Sequence, residues 1–222
     1  MKIVIVSTPR TCSGLVTNIF ANKYKLINKS EIMSSCRTHE QVVEVLKTLH
    51  TEDDFVVKIT STSLNTFSDI LTHLNFPWYI FDKVILTERV SVAHQYASWI
   101  LLSYSQKNGK QSSTDIHAYL HELLMNDCSQ FIIRPRELKF IARDINYYYQ
   151  TLKPYLLQQN LPLHTVTHEM FQTTEYIDEL NQLLNENFTY SDIPKTSKSS
   201  IDYSKFIMET NLTQLIQNTN ND

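Results

Sequence analysis

The chain has 222 residues, 42% of them hydrophobic, and a formal net charge of −3 from 20 basic and 23 acidic side chains. That length and apolar content suit one good-sized core, and the charge excludes a general nucleic-acid binder held by bulk electrostatics. Only two glycines occur, Gly14 and Gly109, where average usage gives about fifteen. No segment therefore holds the G-x-G-x-x-G dinucleotide fingerprint or the standard G-x-x-x-x-G-K-[ST] phosphate loop.

Ile3–Val6 is a continuous β-branched run, the mark of a strand buried on both faces. Helical spacing of Leu15, Val16, Ile19 and Phe20 follows, and Thr38 is an N-cap for a helix through Val42, Val43, Val45, Leu46 and Leu49. Asp54–Ile59 reads as a second strand, Leu64–Leu74 as a helix, Lys83–Thr87 as a third strand and Ser91–Tyr104 as a long amphipathic helix. Residues 106–114 are polar, contain Gly109 and read as a loop. Two helices follow over 115–126 and 135–159, with Pro154 ending or kinking the second. Leu163–Thr167 is a last short strand and Glu175–Leu184 a helix. A Lys-bearing loop over 191–200 precedes a closing helix from Asp202 to Ile216 and a frayed Asn-rich tail.

Buried strands alternating with helices predict an α/β fold: three layers around a central, mostly parallel sheet of about four to five strands. One domain over 1–222 is expected, with a helical insertion at about 106–160 and a basic loop and helix at about 191–217. Three cysteines, Cys12, Cys36 and Cys128, in no paired spacing fit a reducing compartment. The first apolar run is too short for a secretory segment and none reaches the length of a membrane span, so a cytoplasmic protein without a membrane partner is expected.

The turn Thr8-Pro9-Arg10-Thr11-Cys12-Ser13-Gly14 is the most informative stretch. Parallel sheets place ligands at the carboxyl ends of strands, and a helix beginning there offers N–H groups and a positive dipole end to an anion. Arg10 adds a permanent charge, and Thr11 and Ser13 add hydroxyls. An ordinary capped turn is the competing reading. This run resembles the 5′-phosphosulfate loop of the PAPS-dependent sulfotransferase family, P-[KR]-[ST]-G-[ST]-[ST]. Pro9, Arg10, Thr11 and Ser13 match, Cys12 stands at the glycine position, and Gly14 stands where a hydroxyl residue is usual. A second block, Val84-Ile85-Leu86-Thr87-Glu88-Arg89 followed by Ser98, resembles that family's 3′-phosphate motif. Lys195 and Lys198 lie where the family has a basic loop over the 3′-phosphate, and Thr167–Phe171 resembles a segment after a late family strand.

The resemblance implies a P-loop-like fold and transfer of a sulfuryl group from PAPS, with no metal, to a hydroxyl or amine of a small-molecule or glycan acceptor. It implies donor binding by Pro9, Arg10, Thr11, Cys12, Ser13, Gly14, Arg89, Ser98, Lys195 and Lys198. Lys58 matches a lysine near the transferring group, and Glu31 stands where one branch has its base; His39 and Glu40 are fallback candidates for the base. A nucleotide-dependent kinase and a non-catalytic relative of the fold are the alternatives, and the oligomeric state stays open. His117 and His121 share a helix face but have only Cys128 nearby as a soft ligand, which argues little for zinc. A phosphatase-like C-x5-R pattern from Cys12 fails at Asn18, so Cys12 is read as packed against the loop or inert.

Overall fold

Ile3, Val4, Ile5 and Val6 are fully buried, as a strand covered on both faces requires. They belong to β1 (Lys2–Ser7), the centre of a sheet whose other strands are β2 (Ile27–Ser30), β3 (Phe55–Thr60), β4 (Lys83–Glu88) and β5 (Leu163–Thr167). The order is β2-β3-β1-β4-β5 and every pairing is parallel. The coordinates are a computed structural model that describes residues 1–36, 38–60, 76–110, 113–129, 131–173, 175–194 and 201–221. The expected helix Leu64–Leu74 lies outside them.

Helices α1 (Ser13–Tyr24), α2 (His39–Thr51), α3 (Val92–Lys107), α4 (Ser113–Met125), α5 (Pro135–Tyr147), α6 (Lys153–Gln158), α7 (Tyr176–Leu184), α8 (Ser204–Glu209) and α9 (Leu212–Asn221) complete the regular structure, with short 3₁₀ turns between them. Alternation along the strands splits the core in two. Val4, Val6, Val57, Ile59, Val84 and Leu86 pack with Val42 and Leu49 of α2 and with Tyr148, Leu152 and Leu156. Ile3, Ile5, Val56, Ile85 and Val166 pack with Val16, Ile19 and Phe20 of α1 and with Ile177, Leu180 and Leu184 of α7. The sheet is thus the middle of three α/β/α layers.

The chain divides into two compact units, one of Met1–Val90 with Asp144–Lys195, the other of Ser91–Arg143 with Thr196–Asp222. The first contains the sheet; the second is helical among its described residues. Three local expectations are corrected. The helix expected over 135–159 is broken at Tyr148–Leu152, a π-helical turn just before Pro154; proline has no N–H for the carbonyl four residues back, and the shifted ladder accommodates its ring. The closing helix is two, α8 and α9, separated at Asn211, whose φ of 55° breaks the helical path. The Asn-rich tail is helical to Asn221 rather than frayed. Among the described residues no helix is long and apolar enough to cross a membrane.

Candidate functional site

The connection from β1 runs to the β2 side of the sheet and that from β4 to the β5 side. The crevice between the carboxyl ends of β1 and β4 is therefore the switch point where open parallel sheets place ligands. Ser7 and Thr60, the last residues of β1 and β3, and Thr87, the last but one of β4, lie in one register row, so three buried hydroxyls stand side by side on the α1 face. The Ser7 hydroxyl has no hydrogen-bond partner among the described residues. A buried polar atom left without a partner costs free energy unless something else pairs with it, so the Ser7 hydroxyl is open to a hydrogen bond from a bound group or a water.

The loop leaving β1 is pinned from below. Thr11 is fully buried; its Oγ1 donates to the Thr8 carbonyl at 2.8 Å and lies 2.9 Å from the Thr87 hydroxyl. Above that anchor, φ is positive at Arg10 (69°) and Cys12 (62°) and negative at Thr11 between them. Backbone of alternating hand turns successive N–H groups toward one side and forms an anion-binding concavity. Cys12 is also the N-cap of α1, accepting the first helical bond from Val16 N–H at 3.1 Å, and no side chain caps the helix. The N–H groups of the first turn, which have no intrahelical acceptor, thus extend the concavity.

The glycine missing from the loop is explained by this geometry. Cys12 adopts the left-handed conformation that glycine takes most readily. Gly14 does not have a positive φ, and a Cβ built on it meets nothing within 4 Å. The glycine-like backbone is present, carried by a residue with a side chain.

Arg89, at the end of β4, closes the other side of the crevice. It is buried, and its Nε lies 3.8 Å from Oε1 of Glu169. Oε2 of Glu169 accepts from Val90 N–H at 3.0 Å, and His168 N–H donates to the Glu88 carbonyl at 2.8 Å, fastening the end of β5 to that of β4. Burial, and next the Glu169 charge, push the Cys12 thiol well above its ordinary range, with Arg89 opposing them. Cys12, Arg89 and Glu169 are mutual neighbours, and the thiol is held protonated. On the opposite face of β4, Glu88 binds Lys153 at 2.7 Å and accepts from the Tyr148 hydroxyl at 3.2 Å. Tyr149, next in the π-turn, is hydrogen-bonded by the Arg89 backbone and pushed up to about 12, mainly by burial.

Lys58 and Glu31 meet in an ion pair of 2.7 Å. Lys58 is largely shielded and Glu31 more open, with side-chain exposures of 14% and 37%. Lys58 lies two residues before Thr60 on the same face, about 7 Å along the strand from the hydroxyl row. Arg10, Thr11, Cys12, Ser13 and Arg89 therefore share the switch point, and Lys58 and Glu31 share a second point beside it. Ser98 belongs to the helical unit, where its hydroxyl donates to the Tyr203 hydroxyl at 3.1 Å. Lys195 and Lys198 lie outside the described residues. Among the described residues no group of three or more His, Cys, Asp or Glu is placed to hold a metal ion. Thr87, Glu88 and Glu169 lie in the two stretches singled out from the sequence, but no role was expected for them there; only the adjacency of β4 and β5 brings Glu169 to Arg89.

The chain matches no family model, no curated protein and no solved structure.

The helical unit has a cavity of about 400 Å³ lined by Ser91, His94, Ser204, Met208 and Asn211 among others. There Ser91 lies 2.7 Å from His94 Nδ1 and accepts from the His94 N–H, the arrangement of a helix cap.

Proposed function

We propose that the protein is a sulfotransferase that takes a sulfuryl group from PAPS to a hydroxyl or amine. The observation that carries this reading is the backbone of residues 10–13, which alternates in hand at the start of α1 above an orphaned Ser7 hydroxyl. The 5′-phosphosulfate lies against the N–H groups of this loop, with Arg10, Thr11 and Ser13 around it, and Arg89 takes the 3′-phosphate.

The reaction is an in-line displacement. The acceptor oxygen bonds to sulfur, the bond from sulfur to the bridging oxygen breaks, and 3′-phosphoadenosine 5′-phosphate leaves. Negative charge grows on that bridging oxygen, so fixed cations and N–H dipoles lower the barrier. Arg10 and Lys58 supply the cations, and Glu31 receives the acceptor's proton. The Lys58–Glu31 contact supports this division, because it puts a base and a cation at one point beside the loop.

The test is titration with 3′-phosphoadenosine 5′-phosphate, and separately with ATP and Mg²⁺, followed by thermal shift. The first ligand at a hundred times its Kd stabilises the fold by about 2.7 kcal/mol, the second does not, and Arg89→Ala removes the response. No response to the bisphosphate overturns the reading, and a response to ATP and Mg²⁺ alone points to a kinase. Turnover is read by label transfer from PAPS to a panel of acceptors. Glu31→Gln lowers the rate about 10²–10⁴-fold with bisphosphate binding unchanged; binding without any transfer identifies a non-catalytic relative.

A further inference from the structure

Helix α5 and the residues leading into it concentrate charge of one sign. Between positions 134 and 143 stand Arg134, Arg136, Lys139 and Arg143 against a single acid, Glu137, in a chain whose net charge is −3. All four cations are exposed. Glu137 is engaged by Lys107 of α3 at 2.7 Å, and among the described residues no carboxylate pairs with Arg134, Arg136 or Lys139. Arg136, Lys139, Phe140 and Arg143 follow i, i+3, i+4, i+7 spacing and share one face of the helix. Leu138, Ile141 and Ala142 occupy the opposite face and are buried.

Neither helix stability nor hydration accounts for the exposed face. Arg134 and Arg136 lie at the N-terminal end of α5, where the helix dipole disfavours cations. A solvated helix face mixes charges of both signs and carries few large apolar groups. Here Phe140 is 47% exposed, and Ile132, two residues before Arg134, is 84% exposed. Phe140 rests edge-to-face on Trp99 of α3 at 6.1 Å, and the Arg143 guanidinium lies 5.0 Å from its centroid.

We propose that this face is a docking surface for an anionic lipid bilayer. Arg134, Arg136 and Lys139 reach the headgroup oxygens, while Phe140 and Ile132 enter the boundary between headgroups and acyl chains. A nucleic acid or a sulfated glycan would use the cations but offers no apolar layer to the two hydrophobic side chains. Charges are screened over about 8 Å at physiological salt, so headgroups respond to this local cluster rather than to the net charge. The contact is peripheral and needs no spanning helix; none occurs among the described residues. It replaces the sequence-based expectation that no membrane is involved. None of these residues belongs to the proposed donor site, so the contact is independent of the sulfotransferase reading.

The experiment is co-sedimentation of the full chain with vesicles of phosphatidylcholine and phosphatidylserine, and with vesicles of phosphatidylcholine alone, over a range of salt. Wild type partitions onto the first and not the second, and less so at high salt. Arg136→Gln combined with Lys139→Gln lowers the partition coefficient about thirtyfold, or about fivefold per cation, and flattens the salt dependence. That variant keeps the wild-type melting temperature. Phe140→Ala and Ile132→Ser each weaken binding with the salt dependence unchanged, and Ile132 is too exposed to act through folding. No binding to either vesicle, equal binding to both, or binding unmoved by these substitutions overturns the proposal. Binding to heparin without binding to vesicles, lost in the charge variant and retained in Ile132→Ser, also overturns it and identifies a polyanion surface.

Discussion

The hydroxyl hydrogen of Thr11 goes to the Thr8 carbonyl, so in the 2.9 Å contact between Thr11 and Thr87 it is Thr87 that donates. The loop is held by a two-bond chain that starts in β4 and ends in the backbone just past β1.

That direction makes the two threonines unequal. Thr11→Val breaks both bonds, removes the acceptor of the Thr87 hydroxyl, and costs about 1–3 kcal/mol. Thr87→Val leaves the Thr11 bond to Thr8 intact and costs about 1 kcal/mol. In urea denaturation the double variant lies close to Thr11→Val alone; additive losses would contradict a shared chain.

The two small residues of the loop behave oppositely to what their identities suggest. Gly14→Ala gains up to about 1 kcal/mol, because the helix favours alanine and the added carbon has open space. Cys12→Gly is neutral or slightly stabilising: relief of a left-handed residue, worth about 1–2 kcal/mol, is offset by the chain entropy of glycine. Cys12→Val is the most destabilising of the three, since β-branched residues tolerate positive φ worst. Denaturation midpoints rank them, and a large loss in Cys12→Gly would count against the assigned backbone.

Alkylation of Cys12 at pH 8 reports its neighbours. Burial and Glu169 raise the thiol and Arg89 lowers it, and only the thiolate reacts. Peptide-mapped iodoacetamide labelling is slow in wild type, faster in Glu169→Gln and slower still in Arg89→Met. Identical rates in all three would separate the cysteine from the pair.

His164 gives the fold an acid-sensitive point. Burial, then Lys83, depress its pKa below the ordinary 6.5, while Nδ1 lies 3.1 Å from the Leu183 carbonyl oxygen. The unfolded chain therefore binds the proton more readily, and stability rises with pH in that window. The contribution is complete above the unfolded pKa and is lost as pH falls through it toward the folded value. Chemical denaturation at pH 7.5 and 5 shows a larger loss in wild type than in His164→Gln; equal losses would assign the acid sensitivity elsewhere.

Four strands were legible because β1, β3, β4 and β5 are short apolar or β-branched runs bounded by turns. β2 was not: Ile27-Asn28-Lys29-Ser30 lies at the edge of the sheet, exposes Ile27 and breaks register between Asn28 and Ser30, so no apolar run marks it. Thr38 was readable as an N-cap because its partner is three residues away, and it forms a capping box with Gln41. Lys58 and Glu31 were each readable as chemistry-bearing residues, but their contact depends on β2 lying beside β3, the pairing the sequence hides. The loop after β1 was legible in composition only. Its left-handed Cys12 breaks the local rule that such a position belongs to glycine, and violations of that kind concentrate at functional sites.

The order in which the strands join has a consequence for biogenesis. β1, β3 and β4 are encoded within the first ninety residues, whereas β5 follows the whole first segment of the helical unit. During synthesis the outer edge of β4, made of the buried stretch Val84–Thr87, emerges long before Leu163–Thr167 can cover it. An uncovered apolar edge is a template for pairing with other chains, and a distant partner strand arrives late and closes slowly. The nascent chain therefore passes through an interval in which its sheet is sticky on one side, and the wall of the crevice that Arg89 belongs to is completed only when β5 arrives.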